Sequence, residues 1–340
     1  MKKVVCFGEI MGRLSPQGFM EIVQADDYSL TFAGGEANVA VAVSNLGSKA
    51  KFVTKLPDND LTRHALRVLR GYGIDVDDIV IGSGRFGLYF VEKGASQRPS
   101  KVLYDRAYSA VSLAEPSDFD WKAIFDGCDW FHFTGITPAL SDNLAIICEQ
   151  ACRAAKEKGL TISCDLNYRK TLWDSRKAGR VMSRLMKYVD VCIANEEDAE
   201  KVFGIKAKDT DINSGKISLQ GYKEVAEELQ NRFEFQKVAI TLRGSLSASD
   251  NTWSGMLYAD HRMYTTKSYN IHLVDRVGGG DSFAGGLIYS LMNGYDHQKA
   301  IEFAVGLSCL KQTTEFDFSQ ATLKDVENLI SGDGSGRVQR

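Results

Sequence analysis

Residues 275–286 read Asp-Arg-Val-Gly-Gly-Gly-Asp-Ser-Phe-Ala-Gly-Gly, three consecutive glycines followed by a carboxylate. Phe283, Leu287 and Leu291 recur every fourth residue beyond them, so Gly278, Gly279 and Gly280 predict a loop that opens an amphipathic helix. Backbone N–H groups in such a loop converge on an anion beside the positive end of the helix dipole. Asp281 then stands where a carboxylate reaches whatever reacts with that anion. A plain glycine turn with Asp281 as N-cap fits the same residues. Gly285 and Gly286, each costing about 1 kcal/mol relative to Ala inside a helix, imply a close approach to that face.

A second glycine pair, Gly34 and Gly35 in FAGGEANVAVAVSNLG (32–47), opens another helix with Val39, Val43 and Leu46 on one face. Its first turn holds Glu36, Ala37 and Asn38, and an Asn amide, which both donates and accepts, suits sugar hydroxyls. A capped core helix is the other reading. The run Gly82-Ser83-Gly84-Arg85-Phe86-Gly87 matches the dinucleotide fingerprint, but LYFVE follows it and reads as a strand where a helix is required. G-x-x-x-x-G-K-[ST] and the protein-kinase H-R-D and D-F-G sets are absent.

The elements that must position these residues alternate. Short apolar runs (VVCFG, KFVTK, WFHFTG, TISCDLN, VCIAN, KVAITLR) are interleaved with amphipathic stretches at 36–47, 60–71, 142–158 and 175–188. This predicts an α/β fold with a mainly parallel central sheet flanked by helices. Segments 12–32 and 84–112 break the alternation; their aromatic and β-branched residues predict a small separate sheet over the main one. Residues 331–340 read as a loose polar tail.

The 340 residues carry 41 Lys+Arg against 44 Asp+Glu, a net charge of −3, which excludes a basic surface for nucleic acid or anionic membranes. No segment approaches the ~18 apolar residues of a membrane span, so a cytoplasmic chain is expected. Seven cysteines without C-x-x-C, Cys148 and Cys152 among them at i,i+4, fit buried free thiols. The scattered histidines give no zinc pattern.

GGEAN near the start and DRVGGGDSFAGG near the end together resemble the two signatures of the ribokinase-like (PfkB) carbohydrate kinases, with the resemblance spanning roughly residues 3–330. It implies a Rossmann-like, ribokinase-type domain over 1–330 with a β-sheet lid, and phosphorylation of a sugar hydroxymethyl group by ATP. The variant DRVGGGD looks like the 2-keto-3-deoxygluconate kinase branch, so the implied substrate is that sugar acid, phosphorylated at its 6-hydroxyl. Fructose or another neutral sugar, or a sugar-binding regulator without turnover, are the alternatives. Asp281 is implied as base, with the 278–280 loop and Arg169 stabilising charge. Tyr89, Tyr104, Arg106, Asn167 and Asp317, with Gly34, Gly35 and Asn38, are implied on the sugar side. Asn195, Asp198, Thr241, Arg243 and Gly244 are implied on the ATP side. The run Asn195-Glu196-Glu197-Asp198 is similar to the family's N-x-x-E element that serves Mg2+, with Asp in the last place, and Glu197 or Asp198 could fill the role. Metal ions beyond Mg2+ with ATP reduce to a monovalent cation, K+, implied near Asp275. Two copies could pair through an exposed lid edge.

Overall fold

A computed structural model describes residues 1–195, 197–206 and 219–332. Glu196 and the tail from residue 333 onward lie outside the described residues. The chain opens with β1 (Lys3–Phe7), leaves for β2 (Met11–Ser15) and β3 (Ser29–Ala33), then enters α1 (Gly35–Asn45). Next come β4 (Lys49–Val53), β5 (Lys55–Leu56), α2 (Asp60–Gly71), β6 (Val80–Ile81), β7 (Leu88–Glu92) and β8 (Lys101–Asp105). The alternation resumes with α3 (Trp121–Ile124), β9 (Trp130–Thr134), α4 (Asp142–Glu157), β10 (Thr161–Asp165), α5 (Ser175–Leu185) and β11 (Val191–Ala194). It continues through α6 (Asp198–Phe203), α7 (Leu219–Phe233) and β12 (Lys237–Ser245). An antiparallel stretch of β13 (Asp250–Ala259), β14 (Arg262–Thr265) and β15 (Tyr269–His272) precedes α8 (Gly279–Met292), α9 (His297–Lys311) and α10 (Leu323–Ile330).

The central sheet is mainly parallel, as the alternation predicts. Six strands run parallel in the order β4-β1-β9-β10-β11-β12, and β13 closes one edge antiparallel with β14 and β15 beside it. The sequence reading assigns no element to that edge, residues 250–272.

Side chains of a strand alternate between its faces, and here both faces are apolar because helices cover both. Val5 and Phe7 of β1 join one core with Phe131, Phe133, Cys192, Val238 and Ile240. Val4 and Cys6 join the opposite core with Trp130, Ile193, Ala239 and the inner face of α8. The pseudo-fingerprint at 82–87 lies between β6 and β7, with no helix after it.

The small sheet has the order β3-β2-β7-β8, within the two segments that break the alternation. A buried guanidinium fastens it to the main body. Arg13 on β2 is 1% exposed and donates to Asp275 at 2.5 Å and Asp317 at 2.5 Å. Tyr89 on β7 donates to the other oxygen of Asp317 at 3.0 Å.

The α8 glycines are explained by packing. A Cβ at Gly285 would sit 2.7 Å from the Ala42 methyl of α1, and one at Gly286 3.0 Å from the α9 backbone at Ala304. A Cβ at Gly280 would meet nothing within 4 Å. Gly285→Ala should therefore cost roughly 1–3 kcal/mol through overpacking. Gly280→Ala should leave stability unchanged or raise it by up to about 1 kcal/mol through helix propensity. Urea unfolding of the two variants checks this, and equal midpoints would contradict the packing account.

Candidate active site

The two glycine helix starts lie side by side and both line a cleft of about 510 Å³ between the small sheet and the ends of the parallel strands. At α8, Gly278 is the N-cap with φ 82°, and a Cβ there would also lie 2.3 Å from the Asp317 carbonyl oxygen. Both conformation and space demand glycine. Asp281 is thus in the first turn of the helix, not at its N-cap, and its carboxylate turns toward α1.

At α1, Gly34 is the N-cap and Glu36 is buried, accepting from the Thr134 N–H and from the hydroxyls of Thr134 and Thr137. These bonds pin the helix start to the end of β9. Burial pushes the Glu36 carboxyl up, and the threonine hydroxyls draw it partly back. Gly35 lies near Asp281, and the Asn38 amide donates to Asp281 Oδ2 at 2.6 Å while its carbonyl accepts from Gly34 N–H at 3.3 Å. Asn38, read from the sequence as a sugar contact, here orients the α8 carboxylate.

Burial pushes Asp281 up to about 7; Asp317 and Glu36 add to the rise, while the Asn38 bond and Arg169 oppose it. Asp165, at the end of β10, is driven well above the carboxylate range by burial and by the neighbouring Asp198 and Asp281. Asp198 is raised by burial despite accepting from the Asn195 and Tyr168 N–H groups. These carboxylates oppose one another in a confined space, which is the electrostatics of a site built to receive a cation or a proton.

Of the residues that the sequence pointed to, Gly34, Gly35, Asn38, Tyr89, Tyr104, Arg106, Asn167, Arg169, Asn195, Asp198, Thr241, Arg243, Gly278, Gly279, Gly280, Asp281 and Asp317 all line the cleft. Gly244 does not; it sits on β12, where a Cβ would strike the Thr252 hydroxyl at 2.3 Å, so its smallness serves strand pairing. Asp317 is already held by Arg13 and Tyr89. Tyr104 stacks on Tyr89, with ring centroids 5.9 Å apart, and Arg106 lies over the Tyr104 ring. Arg106 also pairs with buried Glu9. Asn167 has φ 38°, held by its N–H bond to Asp165. Of the two carboxylates left open for the ATP side, Asp198 is buried while Glu197 is exposed.

Glu9, Asp165, Tyr168, Lys201 and Trp253 also line the cleft and were missed. Asp165 had a signal: it ends an apolar strand, the side of an open α/β sheet where ligands bind.

Among the described residues no group of three His, Cys, Asp or Glu could hold a metal by itself. Mg2+ needs less, since it keeps several waters and takes one or two carboxylates beside phosphate oxygens, and Asp198 and Asp165 fit that pattern. The donors at Asp275 do not fit a bare monovalent cation. Its Oδ2 accepts from Arg13, its Oδ1 from Val277 N–H at 3.0 Å, and its carbonyl from the Lys311 ammonium at 2.9 Å. Two side-chain cations, Arg13 and Lys311, thus already hold the Oδ2 and carbonyl atoms of Asp275, where the resemblance implies a monovalent cation.

Comparison with known proteins agrees with the geometry. The pfkB family carbohydrate kinase model matches residues 1–315. A 2-dehydro-3-deoxygalactonokinase of Haloferax volcanii is 33% identical over 336 residues, 98% of each chain. A 2-dehydro-3-deoxygluconokinase of Thermoproteus tenax is 27% identical, covering 82% of this chain and 78% of its own. The crystal structure of a 2-dehydro-3-deoxygluconokinase from Thermotoga maritima superposes with a TM-score of 0.94 at 50% identity, covering 98% of this chain and all of that one. With both signatures on one cleft and the match running through both, the chain belongs to the pfkB family of carbohydrate kinases.

Proposed function

We propose that this kinase transfers the γ-phosphoryl group of ATP to the 6-hydroxyl of 2-keto-3-deoxy-D-gluconate. The observation that carries the reading is the placement of Asp281 beside the glycine-rich start of α8, on the same cleft as Arg106, Arg169 and Tyr104. The 50% identity to the Thermotoga maritima 2-dehydro-3-deoxygluconokinase supports the sugar acid. The Haloferax volcanii relative keeps the galactonate epimer as a second reading, separated only by one hydroxyl orientation.

Asp281 accepts the hydroxyl proton as that oxygen attacks phosphorus, and Asn38 holds the carboxylate for it. Backbone N–H groups of 278–281 face the developing negative charge, and Arg169 adds a positive charge beside it. Magnesium bound with ATP would neutralise phosphate charge, with Asp198 and Asp165 holding it through water. Positioning contributes more than base strength, because the transition state of phosphoryl transfer is loose. The lid excludes water that would otherwise compete as acceptor. The catalytic unit runs over 1–330 and works in the cytoplasm, where reduced thiols such as these persist. Two copies pair through β8, whose Val102, Leu103 and Tyr104 are exposed. Leu103→Asp should leave a monomer in sedimentation velocity, and a monomeric parent protein would remove this pairing.

Asp281→Asn should fold, bind ATP and lose turnover by about 10² to 10⁴, measured as sugar-dependent ADP release. Residual activity within threefold of the parent would remove Asp281 from the base role. The same variant has a pH signature. Because the folded chain holds the Asp281 proton up to about pH 7 while the unfolded chain releases it near 3.8, folding stability falls as pH rises through that window. The variant should therefore exceed the parent in urea midpoint at pH 8 and match it at pH 4.

A panel of 2-keto-3-deoxygluconate, its galactonate epimer and fructose tests the substrate. Fructose should lose about 30-fold or more in kcat/KM, roughly 2 kcal/mol, for want of a carboxylate partner to the cleft arginines. Arg106→Ala should raise KM for the sugar acid with KM for ATP unchanged, whereas Arg169→Ala should depress kcat. Equal kcat/KM for fructose and the sugar acids would move the assignment to a neutral sugar.

A further inference from the structure

Lys311, the last residue of α9, is fully buried, and its ammonium donates to the peptide carbonyl of Asp275 at 2.9 Å. A buried ammonium on a neutral acceptor is costly and persists only where surrounding charge compensates it. Burial pushes Lys311 down, while Asp275, Asp317 and Asp281 pull it up and Arg13 pushes it down further.

Its surroundings locate the effect. Asp275 immediately precedes the anion loop, and the Gln312 carbonyl, next to Lys311, accepts from the N–H groups of Val274 and Asp275. The Ser308 hydroxyl, one turn earlier on α9, donates to the Gly279 carbonyl at 2.7 Å. The last turn of α9 thus grips the loop from beneath, with an ammonium at its centre and the Arg13 guanidinium on the far side of Asp275. All five hydrogen bonds of this arrangement are made between groups of the chain itself.

We propose that Lys311 is a built-in monovalent cation. Its ammonium, together with Arg13, holds the carbonyl and carboxylate of Asp275 and so positions the 278–281 amides, and phosphoryl transfer by this chain runs without a dissolved monovalent ion. Lys311 acts through Asp275, so it is a positioning residue. The inference rests on the kinase reading, but not on the choice of sugar.

The first test uses the unmodified protein with Mg2+-ATP in chlorides of K+, Na+ or tetramethylammonium at equal ionic strength. ADP release with whichever sugar is accepted should stay within threefold across the three salts. A larger rise in K+ overturns the proposal. The ATP-induced rise in melting temperature, read without sugar, should likewise be the same in all three salts, and a shift seen only in K+ overturns it. If no sugar is turned over, the kinase reading fails while this second measurement still decides the cation question.

The second test is Lys311→Ala. It should lower kcat about 10- to 100-fold with KM for the sugar within twofold, and K+, ammonium or methylammonium should restore activity at least fivefold. Full activity in the variant, or a loss that none of the three cations repairs in a protein that still melts cooperatively, overturns the assignment. Should the variant not fold, the salt series on the unmodified protein stands as the deciding measurement.

Discussion

The structure turns on one buried guanidinium. Arg13 is among the largest fully buried side chains, and it joins a lid strand to two carboxylates that lie 262 and 304 residues away in the chain. Burial alone would push Arg13 toward neutrality, but Asp317 and Asp275 outweigh it and hold it charged. Taking one partner away from such a set leaves a buried charge uncompensated, a loss on the order of 3–5 kcal/mol. Replacing the whole set with apolar residues would remove that liability, and with it the register between the small sheet and the glycine loop that opens α8. The Ser15 hydroxyl accepts from the remaining edge of the guanidinium, so the fork is fixed on three sides.

From that clamp the cleft takes its shape. Asp317 carries Arg13 on one oxygen and Tyr89 on the other, Tyr89 carries Tyr104 by stacking, and Tyr104 carries Arg106 on its ring. One wall of the cleft is therefore a chain of contacts reaching back to the glycine loop that opens α8. The opposite wall is set by Glu36, whose three accepted hydrogen bonds seat α1 against β9 and so deliver Asn38 to Asp281. Burial raises Asp165, Asp198 and Asp281 between these walls, so that ionising them works against folding.

Much of this was legible in the sequence, for local reasons. Each glycine-opened helix carries its own periodicity, and strands buried on both faces read as unbroken apolar runs, so α1, α8 and the parallel strands were found near their true positions. The lid was legible as two interruptions in the alternation. What stayed hidden is what tertiary contact alone creates. In sequence Arg13 is one polar residue of an extended strand, Lys311 a basic residue at a helix end, and Glu9 a residue just after an apolar run, and none of the three was singled out. Nothing within ten residues of any of them announces its partner. Gly244 was misplaced for a related reason: a glycine that makes room for Thr252 across a strand pair resembles one that makes room for a ligand. Residues 250–272 pair only with their neighbours at the sheet edge, where alternation between two helix layers gives no guide.

The cysteines described as free thiols have a use of their own. Six of the seven are buried, and Cys128 is the partly exposed exception. Burial raises Cys6, Cys148, Cys164 and Cys192 well above the ordinary thiol range, and the thiolate is the reactive form. Cys6, Cys164 and Cys192 lie on adjacent or nearby strands β1, β10 and β11, while Cys148 and Cys152 lie on α4. A thiol reagent applied to the folded protein thus reaches each site only when that element opens. Site-resolved labelling rates would chart local opening free energies across the central sheet and one helix layer, with no probe added to the chain.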